Sequence, residues 1–174
     1  TLGGGITIDD GLVGYWKFDD GTGGSGAITV DSSRSGNNGT LSNMAADDWV
    51  VPTHTGSFFN PYALDFDGSN DSVIIGSLGT RPVQGTISFW IRPDIVQNYD
   101  NTMCTGGLGS GNYNQGFRFE AATGGTYAAV VGDDSNNYTN HSFTTSMTAT
   151  NWYQISLTWD SSQNKVWTYL DGAN

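Results

Sequence analysis

The sequence predicts an all-β protein, built as a two-sheet antiparallel β-sandwich of the jelly-roll type. The acidic residues comprise 16 Asp and one Glu, and there are two Lys, so helix-favouring residues are scarce while turn-forming Asp is abundant. Short segments that alternate apolar and polar residues are separated by turns rich in Asp, Asn and Gly, which is typical of sandwiches. No window of ten or more residues keeps the 3.6-residue period of a helix without interruption.

Length and charge narrow the possible partners. The 174 residues fit one domain over residues 11–174, preceded by a linker or N-terminal extension over residues 1–10. The formal net charge of −11 disfavours nucleic acid and anionic lipid as partners, because nothing in the chain could neutralise a phosphate backbone. The apolar runs fall far short of the ~18 residues that a membrane span requires, so we expect no membrane insertion.

The first half of the chain contains four predicted strands. They are the segments 12–18, 62–66, 72–75 and 86–92. In the last of these, Phe89 shares the inner face with two isoleucines, while Ser88 and Trp90 lie on the outer face. Pro93 ends that strand because proline has no N–H for the hydrogen-bond ladder. Residues 44–49 form at most one helical turn.

The second half contains a predicted hairpin and two strongly alternating strands. Segments 116–120 and 126–131 flank Gly124–Gly125, which is a hairpin signal. Segment 152–159 alternates strictly between polar and apolar residues, and segment 165–170 alternates again after a turn. These patterns indicate strands that each turn one face toward a core.

The C-terminal end predicts an open sheet edge. Asp171–Gly172 is a hairpin-turn signal, and no returning strand follows it in this sequence. The last strands of the sandwich are therefore expected to be missing, or to be supplied by another segment. An open edge invites strand addition from a neighbouring molecule.

Several segments, taken in order, resemble one known family. The segments are GLVGYWKFDDGTG (11–23), DSSRSGNNGTL (31–41), ALDFDGSNDSVIIG (63–76), TISFWIRPD (86–94) and WYQISLTWD followed by WTYLDG (152–172). Together they resemble laminin-G-like domains of the concanavalin A-like lectin/glucanase superfamily. The resemblance implies a two-sheet jelly roll with a curved concave face. It also implies two more strands after the YLDG turn.

The sequence does not predict an enzyme. Glucan hydrolases of the resembled superfamily carry paired glutamates, and retaining glycosidases need two carboxyl groups ~5 Å apart. This chain has Glu120 alone. Asp65 and Asp67 could substitute chemically, but a structural turn at a strand end is the favoured interpretation. His54 and His141 both lie in loop-like sequence, and no nucleophile elbow is present.

A structural calcium ion is the cofactor that the sequence favours. Calcium takes oxygen ligands from carboxylates, amides and backbone, which Asp- and Asn-rich turns supply. The resemblance favours Asp20, Asp31 and Asn38 as ligands, because related domains often hold calcium beside the first strand. The alternative is that these residues form Asx turns. Weaker candidate clusters are Asp65, Asp67 and Asp71, and residues 133–137.

Loop aromatics surrounded by Asn are the candidate ligand-binding residues. Tyr99, Tyr113 with Asn114, and Tyr138 combine a flat ring with amide hydrogen bonds, which suits the apolar face and polar rim of a sugar. The alternative for each tyrosine is packing of its ring over the end of the sandwich. Most tryptophans lie on predicted strands and are expected to pack in the core or on a sheet face. Trp49 is the one expected to be exposed.

These observations predict a non-catalytic recognition or adhesion domain outside the cell, on a cell surface or on a virion. Its expected partners are glycans or cell-surface polysaccharide. The alternative is a structural subunit of a decoration, fibre or filament, whose partners are copies of itself or neighbouring subunits. Glycan binding that depends on loop tyrosines would support the first, and stable oligomers without glycan binding would support the second.

Overall fold

The computed structural model describes residues 10–52, 60–79, 82–95, 101–104, 116–121, 127–132, 138–142 and 147–173. These residues form twelve strands, and every pairing between them is antiparallel. The all-β antiparallel prediction is therefore confirmed. Within the described ranges, helical structure is limited to the 3-10 turn Ala46–Asp48, which confirms the helical turn expected over 44–49. No helix in these ranges is long and apolar enough to cross a membrane.

The chain divides into two compact units, Thr1–Arg81 and Pro82–Asn174. Each unit contains two sheets in its described part. The sequence predicted two sheets in total. The two additional sheets lie in the first unit, whose strands are short. A single domain over residues 11–174 stays a prediction.

The first unit contains short strands around a small apolar core. One sheet has the order β1-β2-β5 and a second pairs β3 with β4. The strands are β1 (Ile28–Thr29), β2 (Gly39–Ser42), β3 (Trp49–Val50), β4 (Ala63–Leu64) and β5 (Ser72–Ile75). The buried core comprises Leu41, Met44 and Trp49. Trp49 is 8% exposed, so the expectation that it is exposed is wrong. Its indole N–H reaches the carbonyl of Gly23 at 2.9 Å, which lets the whole ring enter the core.

The prediction of a regular strand over residues 12–18 is wrong. Trp16 forms an isolated bridge with Asp31, and no longer ladder develops. Phe18 has a φ of 52°, which is not extended backbone, so a strand cannot pass through it. The ring of Trp16 lies over Gly14, where a Cβ atom would be 2.1 Å from it. Glycine is needed at position 14 because the ring packs onto the backbone.

The second unit is a sandwich of two sheets. One sheet has the order β12-β11-β6 and the other has the order β10-β9-β8-β7. The strands are β6 (Gln84–Ile91), β7 (Asn101–Cys104), β8 (Gly116–Ala121), β9 (Tyr127–Gly132), β10 (Tyr138–Ser142), β11 (Tyr153–Asp160) and β12 (Lys165–Leu170). The predicted hairpin is confirmed as β8 and β9, and the alternating segments as β6, β11 and β12. The sequence did not predict β7 or β10.

The two sheets of the second unit share one apolar core. Buried residues from both sheets contact one another, and they are Phe117, Phe119, Tyr127, Ala129, Met147, Ile155, Leu157, Trp159 and Leu170. Phe89 of β6 and Phe119 of β8 meet edge to face, with ring centroids 5.0 Å apart and an interplanar angle of 82°. This contact joins the inner faces of the two sheets. The predicted sandwich architecture is therefore present in this unit.

The hairpin turn predicted at Asp171–Gly172 is confirmed. Asp171 and Gly172 have φ values of 50° and 79°, the positive pair that a type I′ turn requires. Leu170 and Ala173 form an antiparallel bridge across the turn. The side chain of Asp171 also accepts a hydrogen bond from the backbone N–H of Gln154 at 2.8 Å. The turn is thereby fixed to β11.

Candidate functional site

The side of the β6–β11–β12 sheet that faces away from the core carries an ordered array of polar and aromatic side chains. The pairing register places Thr86 opposite Thr158 and Ser88 opposite Ser156. It also places Trp167 opposite Thr158 and Tyr169 opposite Ser156. We call this array the outer face, and its members are Gln84, Thr86, Ser88, Trp90, Gln154, Ser156, Thr158, Asp160, Lys165, Trp167 and Tyr169.

Three aromatic residues stand on the outer face. Trp90 is 56% exposed, and Trp167 and Tyr169 are half-buried. From strand spacings, Trp167 and Tyr169 lie about 7 Å apart along β12, and Trp90 lies about 16 Å from Trp167 across the sheet. The ammonium of Lys165 lies 5.9 Å from the centre of the Trp167 ring, which orients that side chain. These rings are not needed for the core, which is formed on the other side of the sheet.

Hydroxyl and amide groups fill the space between the rings. The side-chain amide of Gln154 donates to Ser88 Oγ and, at 2.6 Å, to Ser156 Oγ. The two serine hydroxyls are 3.1 Å apart. Thr86 and Thr158 form a matching hydroxyl pair at 3.3 Å in the next row. The centre of the outer face is therefore uncharged and rich in hydrogen-bonding groups.

A shallow depression of about 400 Å³ lies at one end of the outer face. The residues that line it are Gln84, Gly85, Thr86, Thr158, Trp159, Asp160 and Trp167. Position 85 is a glycine because the Trp159 ring packs onto its backbone, where a Cβ atom would lie 2.2 Å from the ring. Trp159 is held by a hydrogen bond from its indole N–H to the carbonyl of Pro82 at 2.9 Å. The depression is therefore lined by residues of all three strands of the sheet.

Asp160 fastens the turn after β11 to β6. Its carboxylate accepts hydrogen bonds from Ser162 Oγ at 2.6 Å, from Gln163 Nε2 at 2.7 Å and from Gln84 Nε2 at 2.8 Å. The Ser162 hydrogen bond lowers the pKa of Asp160, and although burial raises it, the bonds from Gln84 and Gln163 hold the pKa at about 2. Asp160 is thus ionised at neutral pH and fully engaged by neutral donors.

The predicted calcium residues Asp20, Asp31 and Asn38 come together, as neighbours around one loop. Asp31 accepts hydrogen bonds at 2.8 Å from the backbone N–H groups of Tyr15, Ser33 and Asn37 and from the hydroxyl of Ser33. Burial raises the pKa of Asp31, but these hydrogen bonds outweigh it and lower the pKa to about 2. The four donors occupy the four lone-pair positions of the carboxylate. We call this arrangement the Asp31 clasp.

The clasp geometry does not fit Asp31 as a calcium ligand, because its oxygens already accept protein donors. Asn38 Oδ1 accepts from the backbone N–H of Asp31 at 3.0 Å, and Asp20 accepts from the Thr29 hydroxyl at 2.7 Å. Across the described ranges, no group of three or more His, Cys, Asp or Glu is placed to hold a metal ion. Calcium beside this loop stays a prediction, with Asp20 and Asn38 as its remaining side-chain ligands.

The predicted ligand-binding tyrosines are not brought together by the described residues. Tyr99, Tyr113 and Asn114 lie outside the described ranges. Tyr138 is the first residue of β10, so its assignment to a loop is wrong. The neighbouring positions of the segment pair with β9 in register, which the Asn- and Thr-rich sequence did not indicate. A ligand-binding role for these four residues stays a prediction.

The carboxyl groups considered for catalysis are engaged in structural contacts. Glu120 forms an ion pair with Arg118 at 2.8 Å on β8. Asp67 accepts from the backbone N–H of Ser69 at 2.7 Å, and its own N–H donates to Asp71 at 2.9 Å. This is the hydrogen-bond pattern of an Asx turn, and it agrees with the structural turn that the sequence predicted at this strand end.

Comparison with known families identifies the fold. The laminin-G-type model described as the concanavalin A-like lectin/glucanases superfamily matches residues 67–174, which is more than half of the chain. The chain belongs to this superfamily. The resemblance seen in the sequence is thereby confirmed. A comparison with curated proteins found none that matches the chain.

A solved structure shares the superfamily fold with this chain. It is the 2.1 Å crystal structure of residues 221–444 of an S-layer domain-containing protein from Clostridium thermocellum. The two structures superpose with a TM-score of 0.58 and 20% sequence identity. The match covers 92% of this chain and 69% of that one. At this identity the likeness shows the fold alone.

Sequence reasoning did not select the outer face as a site, although part of its signal was visible. The alternation over 86–92 already placed Ser88 and Trp90 on the side away from the core. The alternation over 165–170 contained the same signal for Trp167 and Tyr169. What the sequence could not supply was the register that aligns the three strands into one face.

Proposed function

We propose that this chain is a non-catalytic recognition domain that binds an uncharged polysaccharide through the outer face. The observation that carries the proposal is the array of Trp90, Trp167 and Tyr169 on the solvent side of a sheet whose other side forms the core. An apolar patch on a solvent-facing surface is the kind of feature that marks a binding site.

The chemistry of the outer face suits a sugar polymer. A pyranose ring has apolar C–H faces that stack on flat aromatic rings, and its rim of hydroxyls exchanges hydrogen bonds with serine, threonine and glutamine. On the outer face, Ser88 and Ser156 lie in the same row as Tyr169, between the row of Trp90 and the row of Trp167. The aromatic positions span about 16 Å, so the face is long enough for several consecutive sugar units.

The charge of the chain supports an uncharged ligand. The formal net charge of −11 repels anionic polymers at low ionic strength. The cations beside the outer face are engaged within the chain. Arg92 pairs with Asp94 at 3.0 Å, and Lys165 lies over the ring of Trp167. Asp160 keeps its negative charge at one end of the face, where neutral donors solvate it, and the centre of the face carries only uncharged side chains.

A non-catalytic role is supported by the state of the carboxyl groups. The one Glu of the chain is paired with Arg118. Neither Asp31 nor Asp160 has an oxygen available for proton transfer to a ligand, since each accepts several protein donors. Superfamily membership and the S-layer protein with the shared fold support a setting outside the cell or on a cell surface, and a virion setting stays a prediction.

The test is an affinity measurement on the whole chain with a panel of uncharged polysaccharides, namely barley β-glucan, glucomannan, galactomannan and dextran. We expect at least one to bind, and its carboxymethylated form to bind more weakly. Trp167→Ala and Trp90→Ala should each lower the affinity at least tenfold while the melting temperature changes little. Phe66→Ala is the matched control, because Phe66 is 49% exposed but lies in the first unit. Binding by none of the four polymers would refute the proposal.

A second candidate function is assembly as a structural subunit with copies of itself. It is favoured by β12, which pairs with β11 alone among the described strands and so presents a sheet edge. Sedimentation analysis distinguishes the two functions. A monomer that binds a polysaccharide supports recognition. A stable oligomer that binds no polysaccharide supports assembly.

A further inference from the structure

The outer face contains a small hydrogen-bond network with a fixed direction. Gln154 on β11 reaches Ser88 across the sheet on β6 and Ser156 two positions along its own strand. Its Nε2 atom also lies 3.4 Å from the carbonyl oxygen of Ile155. A backbone carbonyl can only accept, so this contact sets the amide with its nitrogen, and not its oxygen, toward the serines.

Counting hydrogens in this network leaves one unused. The Gln154 amide group supplies two hydrogens: one goes to Ser88 Oγ, and the other is shared between Ser156 Oγ and, at the longer distance, the Ile155 carbonyl. The Ser156 hydroxyl then donates to Ser88 Oγ at 3.1 Å. Ser88 Oγ thus accepts two hydrogen bonds, which fills both of its lone pairs. The hydrogen of the Ser88 hydroxyl is left to point away from the network, and Ser88 is exposed.

We infer that Ser88 is a specificity-determining hydrogen-bond donor, oriented by Gln154 and Ser156, that recognises an acceptor oxygen of the bound sugar. This inference rests on the proposed function, since it names a contact by which the outer face would recognise its ligand. Ser88 lies two residues from Trp90 on the same strand face, about 7 Å along β6. A sugar stacked on Trp90 therefore places its rim, or the next unit of the chain, beside the Ser88 hydroxyl.

The orientation of the network determines which groups of a sugar can form a hydrogen bond with Ser88. A serine that could rotate freely would accept or donate with equal ease. Because both lone pairs of Ser88 are already used, a sugar group that offers only a hydrogen finds no partner there. The groups that match are those that can accept: the hydroxyl oxygens of the sugar and the ether oxygens of its ring or glycosidic linkage. The outer face therefore favours ligands that present such an oxygen one ring away from the aromatic stack.

The test uses the full chain and the uncharged polysaccharide that it binds best. Ser88→Ala removes the donor and should weaken binding about fivefold to tenfold, which is the range for one neutral hydrogen bond. Gln154→Glu keeps the shape of the side chain but turns it into an acceptor. The serine hydroxyls then donate inward to the carboxylate, so binding should weaken by a similar factor. Ser88→Thr keeps the hydroxyl and should bind like the natural chain.

A double variant separates the oriented network from independent contacts. Ser88→Ala with Gln154→Glu should lose no more affinity than the weaker-binding single variant, because both changes remove the same hydrogen bond. Losses that multiply would overturn the network, and a Ser88→Ala variant that binds like the natural chain would overturn the role of Ser88. Both of these outcomes leave the proposed function standing.

A natural chain that binds none of the polymers refutes the proposed function and this inference together. Melting curves for each variant check folding, and Ser156→Ala, with an expected loss of about twofold, replaces Gln154→Glu if that variant unfolds.

Discussion

The two faces of the β6–β11–β12 sheet are made by the same three strands and differ in what explains their side chains. On the inner face, Ile155 and Leu157 are fully buried against the opposite sheet, and packing accounts for both. On the outer face, Trp90 and Tyr169 lie on the side of the sheet away from that core, and Trp90 is 56% exposed. Along one strand, residues that pack in the core therefore alternate with residues that are available for the proposed recognition. Exposure, and not residue type, tells them apart.

The two faces also differ in how much their side chains contribute to the free energy of folding. Burial of a Leu or Ile side chain contributes about 1.5–3 kcal/mol each to folding. Exposed hydroxyl pairs such as Thr86 and Thr158 contribute far less, because water replaces the hydrogen bond in the unfolded chain. Changes on the inner face should therefore alter stability, and changes on the outer face should alter binding.

The largest effect is expected on the inner face at Leu157. Leu157→Ala leaves a cavity at a fully buried position and should lower the free energy of unfolding by about 2–5 kcal/mol. Urea unfolding followed by tryptophan fluorescence measures the loss. Ser156→Ala, one residue earlier on the outer face, is the matched control and should change stability by less than about 1 kcal/mol. Equal losses for the two variants would contradict the difference between the faces.

A smaller loss of stability is expected at Gly85, which pairs with the buried Trp159. In Gly85→Ala the new Cβ atom would lie 2.2 Å from the Trp159 ring, so the ring or the β6 backbone must shift. This overpacking should cost about 1–3 kcal/mol in the free energy of unfolding. It should also weaken polysaccharide binding, since Gly85 lines the depression on the outer face. Gly76→Ala is the control, because its Cβ would meet nothing within 4 Å.

Low pH should destabilise the protein through Asp160, whose carboxylate holds the turn after β11 to β6. The pKa of Asp160 is about 2 in the folded chain and 3.8 without the fold, so its stabilisation is complete above pH 4. It is lost as the pH falls through 4 toward 2, because protonation then favours the unfolded chain. Melting temperatures measured between pH 5 and pH 2.5 should fall less steeply in Asp160→Asn than in the natural chain. Identical slopes would show that this carboxylate does not stabilise the fold.

The smallest effect is expected from chelation of calcium. With Asp31 engaged by protein donors, an ion held by Asp20 and Asn38 would have few charged ligands and weak affinity. EDTA should therefore lower the melting temperature by no more than about 2 °C. Asp31→Asn should lower it further, because the Asn side chain cannot accept all four hydrogen bonds. An EDTA effect as large as that of Asp31→Asn would contradict the clasp and make Asp31 a calcium ligand.

The sequence predicted the parts of the fold in which alternation is long and regular. β6, β11 and β12 were found within two residues at each end, because their inner and outer residues alternate over six to eight positions. β1 and β3 are two residues long, which is too short for any pattern to be visible. The segment over 12–18 alternates equally well, but the positive φ of Phe18 and the packing of Trp16 on Gly14 prevent a strand.

The candidate site was less predictable than the fold, for two physical reasons. Asp31 forms a clasp, yet calcium loops and Asx turns use the same residue types, so composition cannot separate them. Trp90 was placed on the outer side of its strand, but its grouping with Trp167 depends on the pairing of β6 and β12 with β11. That register is a property of the sheet and not of any one segment.

The indole N–H signals of the six tryptophans in an ¹⁵N NMR titration give a direct view of which face meets the ligand. On addition of the uncharged polysaccharide's oligosaccharide, the signals of Trp90 and Trp167 should shift. Those of Trp49 and Trp159 should stay in place, since their N–H groups are bonded to the carbonyls of Gly23 and Pro82. Stationary signals for Trp90 and Trp167 under saturating ligand would contradict binding at the outer face.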